Sequence, residues 1–181
     1  DISSSSCINS GTTFAMTAGT VLLKSSGSAG KGLNCDGEIY LYGGTLRVVT
    51  TGKQYVYGRL DSSAKGIKSK SSLTIESGTI WVRATGGEGS EGIESKNVMT
   101  INGGDIAVYA YDDCLNASNN ITINGGSVYC YSTGNDGVDS NGTLTITGGT
   151  VVASGTASPE DGFDCDQNTF KITGGTVLGI G

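Results

Sequence analysis

The chain has 181 residues and a formal net charge of −6, with 31 glycines, one proline and no histidine. This length predicts one domain over residues 1–181, the glycine content argues against a helical bundle, and the lack of histidine excludes histidine-based catalysis and metal ligation. No apolar run reaches 18 residues, so we expect no membrane insertion. Residues 84–181 carry two basic against twelve acidic side chains, which excludes nucleic acid as a partner.

One pattern recurs seven times along the chain, and we number each copy from a position 0. Apolar residues follow at +1, +7, +9, +14 and +16, and a glycine lies at +12, or at +13 in the seventh copy, preceded by a second glycine in five of the seven copies. Apolar residues two apart, flanked by Thr, Ser and Asn, are typical of strands with one buried face. Three short strands per copy predict an all-β, right-handed parallel β-helix of about seven coils and three parallel sheets. Position 0 is occupied by Cys7, Gly32, Gly66, Gly92, Cys114, Gly137 and Gly162.

Three further features of the chain bear on its fold: an insertion, the cysteines and the C-terminal strand. Residues 50–64 form the longest insertion, which is either a binding loop or an ordinary surface excursion. The five cysteines never share a column on adjacent coils, so we expect buried thiols rather than disulfides. The last predicted strand runs to Gly181 without a polar cap, and we therefore expect the chain to be a fragment of a longer surface protein.

The turn that leads into each coil changes its charge along the chain. Both charged columns of this turn, at −1 and +2, are predicted to face outward on one edge, and they become acidic from the fourth coil onward. Carboxylates one rung apart repel by about 3 kcal/mol at an effective dielectric near 20. The −1 column is Ser6, Lys31, Lys65, Glu91, Asp113, Asp136 and Asp161, and the +2 column is Asn9, Asn34, Lys68, Glu94, Asn116, Asp139 and Asp164.

A cation would relieve this repulsion. Oxygen ligands without histidine or thiolate suit a hard ion, and Ca²⁺ tolerates the irregular shell that two adjacent turns supply. The sequence therefore predicts Ca²⁺ between the last turns, where the spacing D-G-x-D recurs in register. A merely solvated acidic edge is the alternative. The predicted ligands are Asp113, Asp136, Asp139, Asp161 and Asp164.

Exposed aromatic and arginine side chains are predicted at the outward positions +15 and +17 of the third strand. Aromatic rings stack on the apolar faces of sugar rings, and arginine binds carboxylates with two parallel hydrogen bonds. A ladder that only stabilises the sheet is the alternative. The predicted carbohydrate-binding residues are Trp81, Arg83, Tyr109, Tyr129 and Tyr131.

Four segments carry a resemblance to a known family: KGIKSKSSLTIESGTI, DDCLNASNNITINGGSV, NDGVDSNGTLTITGGTV and EDGFDCDQNTFKITGGTV. They are similar to the polysaccharide-lyase-like β-helix family of bacterial cell-surface carbohydrate-binding domains. This resemblance implies a secreted or surface-attached β-helix that binds cellulose and acidic sugars and carries Ca²⁺ on its turns. The turns also resemble the calcium site of family nine pectate lyases, which implies Glu160 as a further ligand beside Asp161.

These observations predict a calcium-bearing, non-catalytic carbohydrate-binding domain that is extracellular or at the cell surface and monomeric. A structural stalk or adhesin segment is the alternative from another class. A calcium-dependent uronate lyase is the enzymatic alternative, and it would need a base of lowered pKa near the metal. Lys96 is the one lysine on the acidic edge, but Glu91 and Glu94 beside it should raise its pKa. We therefore assign no catalytic residue.

Overall fold

The computed structural model describes residues 5–181 and shows a solenoid of seven stacked coils built from three parallel sheets. Each coil contributes one strand to each sheet, and adjacent coils contribute neighbouring strands. The described residues contain no α-helix, and so none that could cross a membrane. The predicted all-β class, the three parallel sheets and the number of coils are confirmed.

The strands are short because each coil turns three corners. Sheet 1 contains β1 (Ser6–Ser10), β4 (Lys31–Cys35), β9 (Lys65–Ser69), β12 (Ile93–Ser95), β15 (Leu115–Ala117), β18 (Val138–Ser140) and β21 (Phe163–Asp164). Sheet 2 contains β2 (Thr13–Met16), β5 (Glu38–Leu41), β10 (Leu73–Ile75), β13 (Met99–Ile101), β16 (Ile121–Ile123), β19 (Leu144–Ile146) and β22 (Phe170–Ile172). Sheet 3 contains β3 (Thr20–Ser25), β6 (Thr45–Thr50), β11 (Thr79–Ala84), β14 (Asp105–Ala110), β17 (Ser127–Ser132), β20 (Thr150–Ser154) and β23 (Thr176–Ile180).

The core is the column of inward side chains that the repeat predicts. The +1 residues pair in register from coil to coil, as Leu33 does with Ile67 and Ile67 with Ile93. All three are fully buried. Burial of a side chain of this size contributes roughly 1.5–3 kcal/mol. In the seventh coil, which has a neighbour on one side only, Ile172 occupies a core column and remains 51% exposed.

The glycine pair makes the corner between sheets 2 and 3. The second glycine of the pair is present in every coil, even where Ala18 or Ser77 replaces the first, and its φ is positive, between +85° and +105°. At Gly126, where φ is +87°, an added Cβ would lie 2.6 Å from the carbonyl oxygen of Gly104 one coil away. The corner therefore needs glycine both for its backbone conformation and for the close approach of the neighbouring coil.

We expect Gly126→Ala to lower the free energy of unfolding by at least about 2 kcal/mol, because it combines a left-handed backbone with a steric clash. For a chain of this length the melting temperature should fall by roughly 5 °C, measured by circular dichroism. Gly11→Ala is the matched control, since an added Cβ there meets nothing within 4 Å. Equal melting temperatures for the two variants would contradict this account of the corner.

The insertion at residues 50–64 folds into an antiparallel hairpin of β7 (Tyr55–Tyr57) and β8 (Leu60–Ser62). Its tip is solvent-facing, with Tyr57 69% exposed. Its base contacts the solenoid, where the Ser62 hydroxyl accepts a hydrogen bond of 3.3 Å from Lys31 Nζ. The hairpin therefore reaches back to the charged turns of sheet 1.

Candidate functional site

The outer face of sheet 3 carries large side chains because residues at +15 and +17 point away from the core. β11 contributes Trp81 and Arg83, and β17 contributes Tyr129 and Tyr131. On the strand between them, β14, the +15 residue is Ala107, which pairs in register with Trp81 on one side and Tyr129 on the other. The small alanine leaves a gap between two large aromatic side chains.

This gap is a surface cavity of about 420 Å³, which we call the aromatic pocket. Trp81 and Tyr129 stand two rungs apart, or roughly 9.6 Å along the solenoid axis. Two van der Waals separations of carbon atoms amount to roughly 7–8 Å, so the spacing admits one flat ring between the two side chains. The pocket is lined by Trp81, Arg83, Ala107, Val108, Tyr109 and Tyr129.

Arginine side chains hold the aromatic rings of this face in place. The Arg47 Cζ lies 4.4 Å from the centroid of the Trp81 ring, and the Arg83 Cζ lies 5.5 Å from that of Tyr109. The rings of Tyr109 and Tyr131 are 5.5 Å apart at an angle of 32°. Such cation–π and tilted aromatic contacts are favourable, and they fix the orientation of the rings before any ligand arrives.

The aromatic pocket brings together four of the five residues predicted to bind carbohydrate. The fifth, Tyr131, packs against Tyr109 from the next rung and is 40% exposed. Sequence reasoning missed Ala107, although the signal was present as a single small residue inside a column of large ones. A flat ring could stack between Trp81 and Tyr129 while the guanidinium of Arg83 donates hydrogen bonds to its substituents.

The prediction that both charged columns of the sheet 1 turns face solvent is wrong for several of their members. Many of the −1 and +2 side chains are buried, because neighbouring turns and the hairpin cover them. Carboxylates and ammonium groups at these positions are therefore desolvated, and their burial together with the charges next to them determines the direction in which their pKa values shift. The buried members of the two columns are Lys31, Asn34, Lys65, Glu94, Asp113 and Asp136.

In the third and fourth coils the buried charges neutralise one another. Lys65 Nζ lies 2.7 Å from Glu91 Oε1, and Lys68 Nζ lies 2.8 Å from Glu94 Oε2. Burial alone would raise the pKa of Glu94, but the charges of Lys65 and Lys68 lower it to about 2. Burial likewise acts to lower the pKa of Lys96, but its ion pair with Glu94 raises it. This part of the edge is charge-compensated, and the expected direction of the Lys96 shift is confirmed.

Next to this network, Lys31 lines a cavity of about 320 Å³, which we call the lysine pocket. Lys31 is only 6% exposed and donates a hydrogen bond of 2.9 Å to the Ala29 carbonyl oxygen. Burial and the charges of Lys68 and Lys65 lower the pKa of Lys31 to about 8. The pocket is lined by Asn9, Lys31, Asn34, Asp36, Ser62, Lys68 and Lys70.

In the sixth and seventh coils the carboxylates of Asp136, Asp139 and Asp164 converge, and we call them the acidic triad. Each offers an oxygen within 4.8 Å of the other two. Burial raises the pKa of Asp136 to about 6 despite the hydrogen bond from the Asp161 backbone, and Asp164 adds to the shift. Burial and the charge of Asp136 likewise raise the pKa of Asp139 to about 6.

In each carboxylate of the triad, one oxygen accepts a hydrogen bond that holds the side chain in position. Asp136 Oδ1 accepts from the Asp161 N–H at 2.6 Å, and Asp139 Oδ2 accepts from Asn116 Nδ2 at 2.7 Å. Asp164 Oδ1 accepts from the backbone N–H two residues later at 3.1 Å. Within residues 5–181, the other oxygen of each carboxylate accepts no hydrogen bond, so each side chain keeps an oxygen free for a ligand. This donor set suits Ca²⁺.

The remaining predicted metal ligands lie outside the triad. Asp113 is buried and accepts hydrogen bonds from Asn116 Nδ2 at 3.1 Å and from the Asp136 N–H at 3.2 Å. Burial and the charge of Asp112 raise the pKa of Asp113 to about 8. Glu160 is half-buried and Asp161 is exposed.

One comparison with known proteins bears on these sites. Residues 57–137, less than half of the chain, match a family described as "Carbohydrate-binding domain-containing protein". No curated protein and no solved structure matches the chain. The matched segment contains every residue of the aromatic pocket but only Asp136 of the acidic triad. The match therefore supports a carbohydrate-binding role and gives no information on the acidic triad as a metal site.

Proposed function

We propose that this chain is a non-catalytic carbohydrate-binding domain whose ligand stacks in the aromatic pocket. The observation that carries the proposal is the gap at Ala107 between Trp81 and Tyr129, with Arg83 at its side. The position of these residues inside the matched segment 57–137 supports it further. Flat aromatic faces over an apolar floor suit the apolar face of a pyranose ring.

The ligands we propose are plant-type polysaccharides such as cellulose and acidic ones such as polygalacturonate. The stacking surface serves either, because both are chains of six-membered rings. Arginine and lysine favour the acidic class, since Arg83 lies in the aromatic pocket and Lys31 lies in the lysine pocket without a carboxylate partner among residues 5–181. Polymers of this size act outside the cell, so we place the protein in the extracellular space or on a bacterial surface, as a monomer.

We further propose that the acidic triad holds Ca²⁺. The fit is supported by three carboxylates that each offer an oxygen within 4.8 Å of the other two, and by the pKa values of Asp136 and Asp139, which burial and neighbouring carboxylates raise. Bound Ca²⁺ would neutralise these carboxylates and would leave coordination positions for water or for a uronate carboxylate. Asp136 and Asp139 would orient the ion, and the Asn116 amide would hold Asp139 in place.

We propose no lyase activity because base and metal ligands are separated. Lys96 has a raised pKa and is paired with Glu94, so it is a poor base. Lys31 has the lowered pKa that a base needs. However, Lys31 and Asp136 occupy the same column four coils apart, or roughly 19 Å at 4.8 Å per rung.

Binding to insoluble polysaccharide tests this function. We expect the protein to sediment with cellulose, to be retarded in gels containing polygalacturonate with millimolar Ca²⁺, and to release no unsaturated uronate at alkaline pH. Serum albumin is the control for nonspecific retention. Retention by neither polysaccharide would refute the proposal and favour a structural stalk or adhesin. Steady formation of the ultraviolet-absorbing product would identify a lyase instead.

A further inference from the structure

One corner of the solenoid holds two side chains that pack against each other inside a single coil. In the second to fourth coils position 0 is glycine and position +16 is valine. A Cβ added to Gly32 would lie 2.2 Å from Val48 Cγ1, and the equivalent distances in the next two coils are 2.3 and 2.2 Å. The corner therefore has room for one large side chain. The glycine–valine pairs are Gly32 with Val48, Gly66 with Val82, and Gly92 with Val108.

The fifth coil departs from this rule at both positions together. Its position 0 is Cys114 and its position +16 is Cys130. Two unlinked side chains of this size crowd a corner that in the second to fourth coils accepts a valine beside a glycine. The first coil also has a cysteine at position 0, but Cys7 is exposed and the residue at +16 is Leu23. The paired replacement suggests that the two residues act on each other and not on the core alone.

The backbone of the corner places the Cβ atoms of positions 0 and +16 close together. A disulfide joins Cβ atoms about 3.5–4.5 Å apart. A Cβ added to Gly32 would lie 3.5 Å from Val48 Cβ, and one added to Gly137 would lie 2.9 Å from Ala153 Cβ. The repeat thus brings the Cβ atoms of these two positions close to disulfide distance in coils on either side of the fifth.

The two thiols themselves are in contact. Cys114 and Cys130 are both fully buried, and the Cys114 Sγ lies 3.5 Å from the Val108 carbonyl oxygen. The Cys130 thiol donates a hydrogen bond to Cys114 Sγ, and this bond together with burial raises the pKa of Cys130. The other three cysteines have different surroundings. Cys35 and Cys165 donate to backbone carbonyls, and Cys7 is exposed.

We propose that Cys114 and Cys130 form a structural disulfide when the protein folds under oxidising conditions. A thiolate of one cysteine attacks a small disulfide oxidant such as oxidised glutathione and releases one thiol. The second thiolate then attacks the mixed disulfide, the protein S–S bond forms, and the second thiol leaves. Two electrons pass to the oxidant, and each released thiolate takes up one of the protons lost by the cysteines. Because both thiols are buried in the native state, the bond forms during folding.

This bond would link the two candidate sites. Cys114 follows Asp113 in the acidic turn, and Cys130 lies between Tyr129 and Tyr131 on β17. The disulfide would fix the strand that forms one wall of the aromatic pocket to the turn beside the acidic triad. It also contrasts with the sequence expectation of buried thiols alone, which compared columns on adjacent coils and overlooked positions within one coil.

The test is to refold the denatured protein with reduced and oxidised glutathione and to map its disulfides. We expect non-reducing mass spectrometry to show a Cys114–Cys130 peptide and thiol titration in denaturant to find three free thiols of the five cysteines. C114G/C130V is the matched control, because it restores the pair found in neighbouring coils and so should fold. Reduction should lower the melting temperature of the wild type by roughly 5–10 °C and should not change that of C114G/C130V. Five free thiols after oxidative refolding, or a bond between any other cysteines, would overturn the proposal.

Discussion

Replacing Trp81 with alanine is expected to weaken polysaccharide binding about 30-fold. Trp81 forms one wall of the aromatic pocket and carries the Arg47 guanidinium over its ring. Truncation of a central aromatic residue in a binding site costs roughly 2 kcal/mol, which corresponds to this change in affinity. The fold should be unaffected, because Trp81 points outward from sheet 3 and is not part of the core. Affinity electrophoresis and isothermal titration with oligosaccharides measure the effect.

A second variant separates the shape of the pocket from its aromatic content. Ala107→Leu keeps every aromatic ring but fills the gap between Trp81 and Tyr129, so it should weaken binding as much as the loss of Trp81. Ala15→Leu is the matched control, because Ala15 is an exposed alanine on a strand of sheet 2. Tyr42→Ala is the control for an exposed aromatic outside sheet 3, because Tyr42 follows β5 of sheet 2 directly. If the Trp81→Ala and Tyr42→Ala variants bind polysaccharide equally well, the aromatic side chains on sheet 3 only stabilise the sheet.

The fold was predictable because one physical requirement is repeated seven times. Every coil must place apolar residues at the same inward positions, so a single buried column such as Leu33, Ile67 and Ile93 reports both strand period and register. The glycine corner is equally explicit, since only glycine combines φ near +90° with the approach of the adjacent coil. These constraints act on the backbone, and the backbone repeats.

The sites were less predictable because they depend on how far individual side chains reach. Glu94 and Asp136 looked equivalent as acidic residues of one edge, yet the ammonium groups of Lys65 and Lys68 reach Glu94, and no such group reaches Asp136 within residues 5–181. A search for large or charged residues could not find the gap at Ala107. The pattern alone could indicate which face carries the exposed aromatic residues, but not where the cavity on that face would lie.

The melting temperature is expected to fall between about pH 4 and pH 8 when Ca²⁺ is absent. Asp136 and Asp139 have pKa values raised from 3.8 to about 6 in the folded state, and Asp113 one raised to about 8. The folded state therefore keeps protons that the unfolded state has already released, so stability is lost as pH rises through this window. Differential scanning fluorimetry across pH in EDTA measures the slope.

Calcium should reverse this loss of stability. Asp136→Asn should show whether the Asp136 carboxylate both destabilises the protein in EDTA and binds the ion. At a Ca²⁺ concentration 100 times the dissociation constant, binding to the folded state adds about 2.7 kcal/mol, or roughly 5–10 °C for a chain of this length. The asparagine keeps the oxygen that accepts the Asp161 N–H but removes the charge. We therefore expect Asp136→Asn to melt higher than the wild type at pH 8 in EDTA and to gain little from Ca²⁺. Asp105→Asn, an exposed residue on β14, is the control and should respond to Ca²⁺ as the wild type does.

The opposite signs of these two effects make the experiment decisive. If the Asp136 carboxylate were only a solvated surface charge, its replacement would change neither the melting temperature in EDTA nor the response to Ca²⁺. A carboxylate needed for packing would lower the melting temperature when it is replaced, whether or not Ca²⁺ is present. Only a desolvated ligand left without its cation gains stability in EDTA and loses the calcium response on the same substitution. Identical melting curves of the wild type in EDTA and in millimolar Ca²⁺ at pH 8 would reject the metal site.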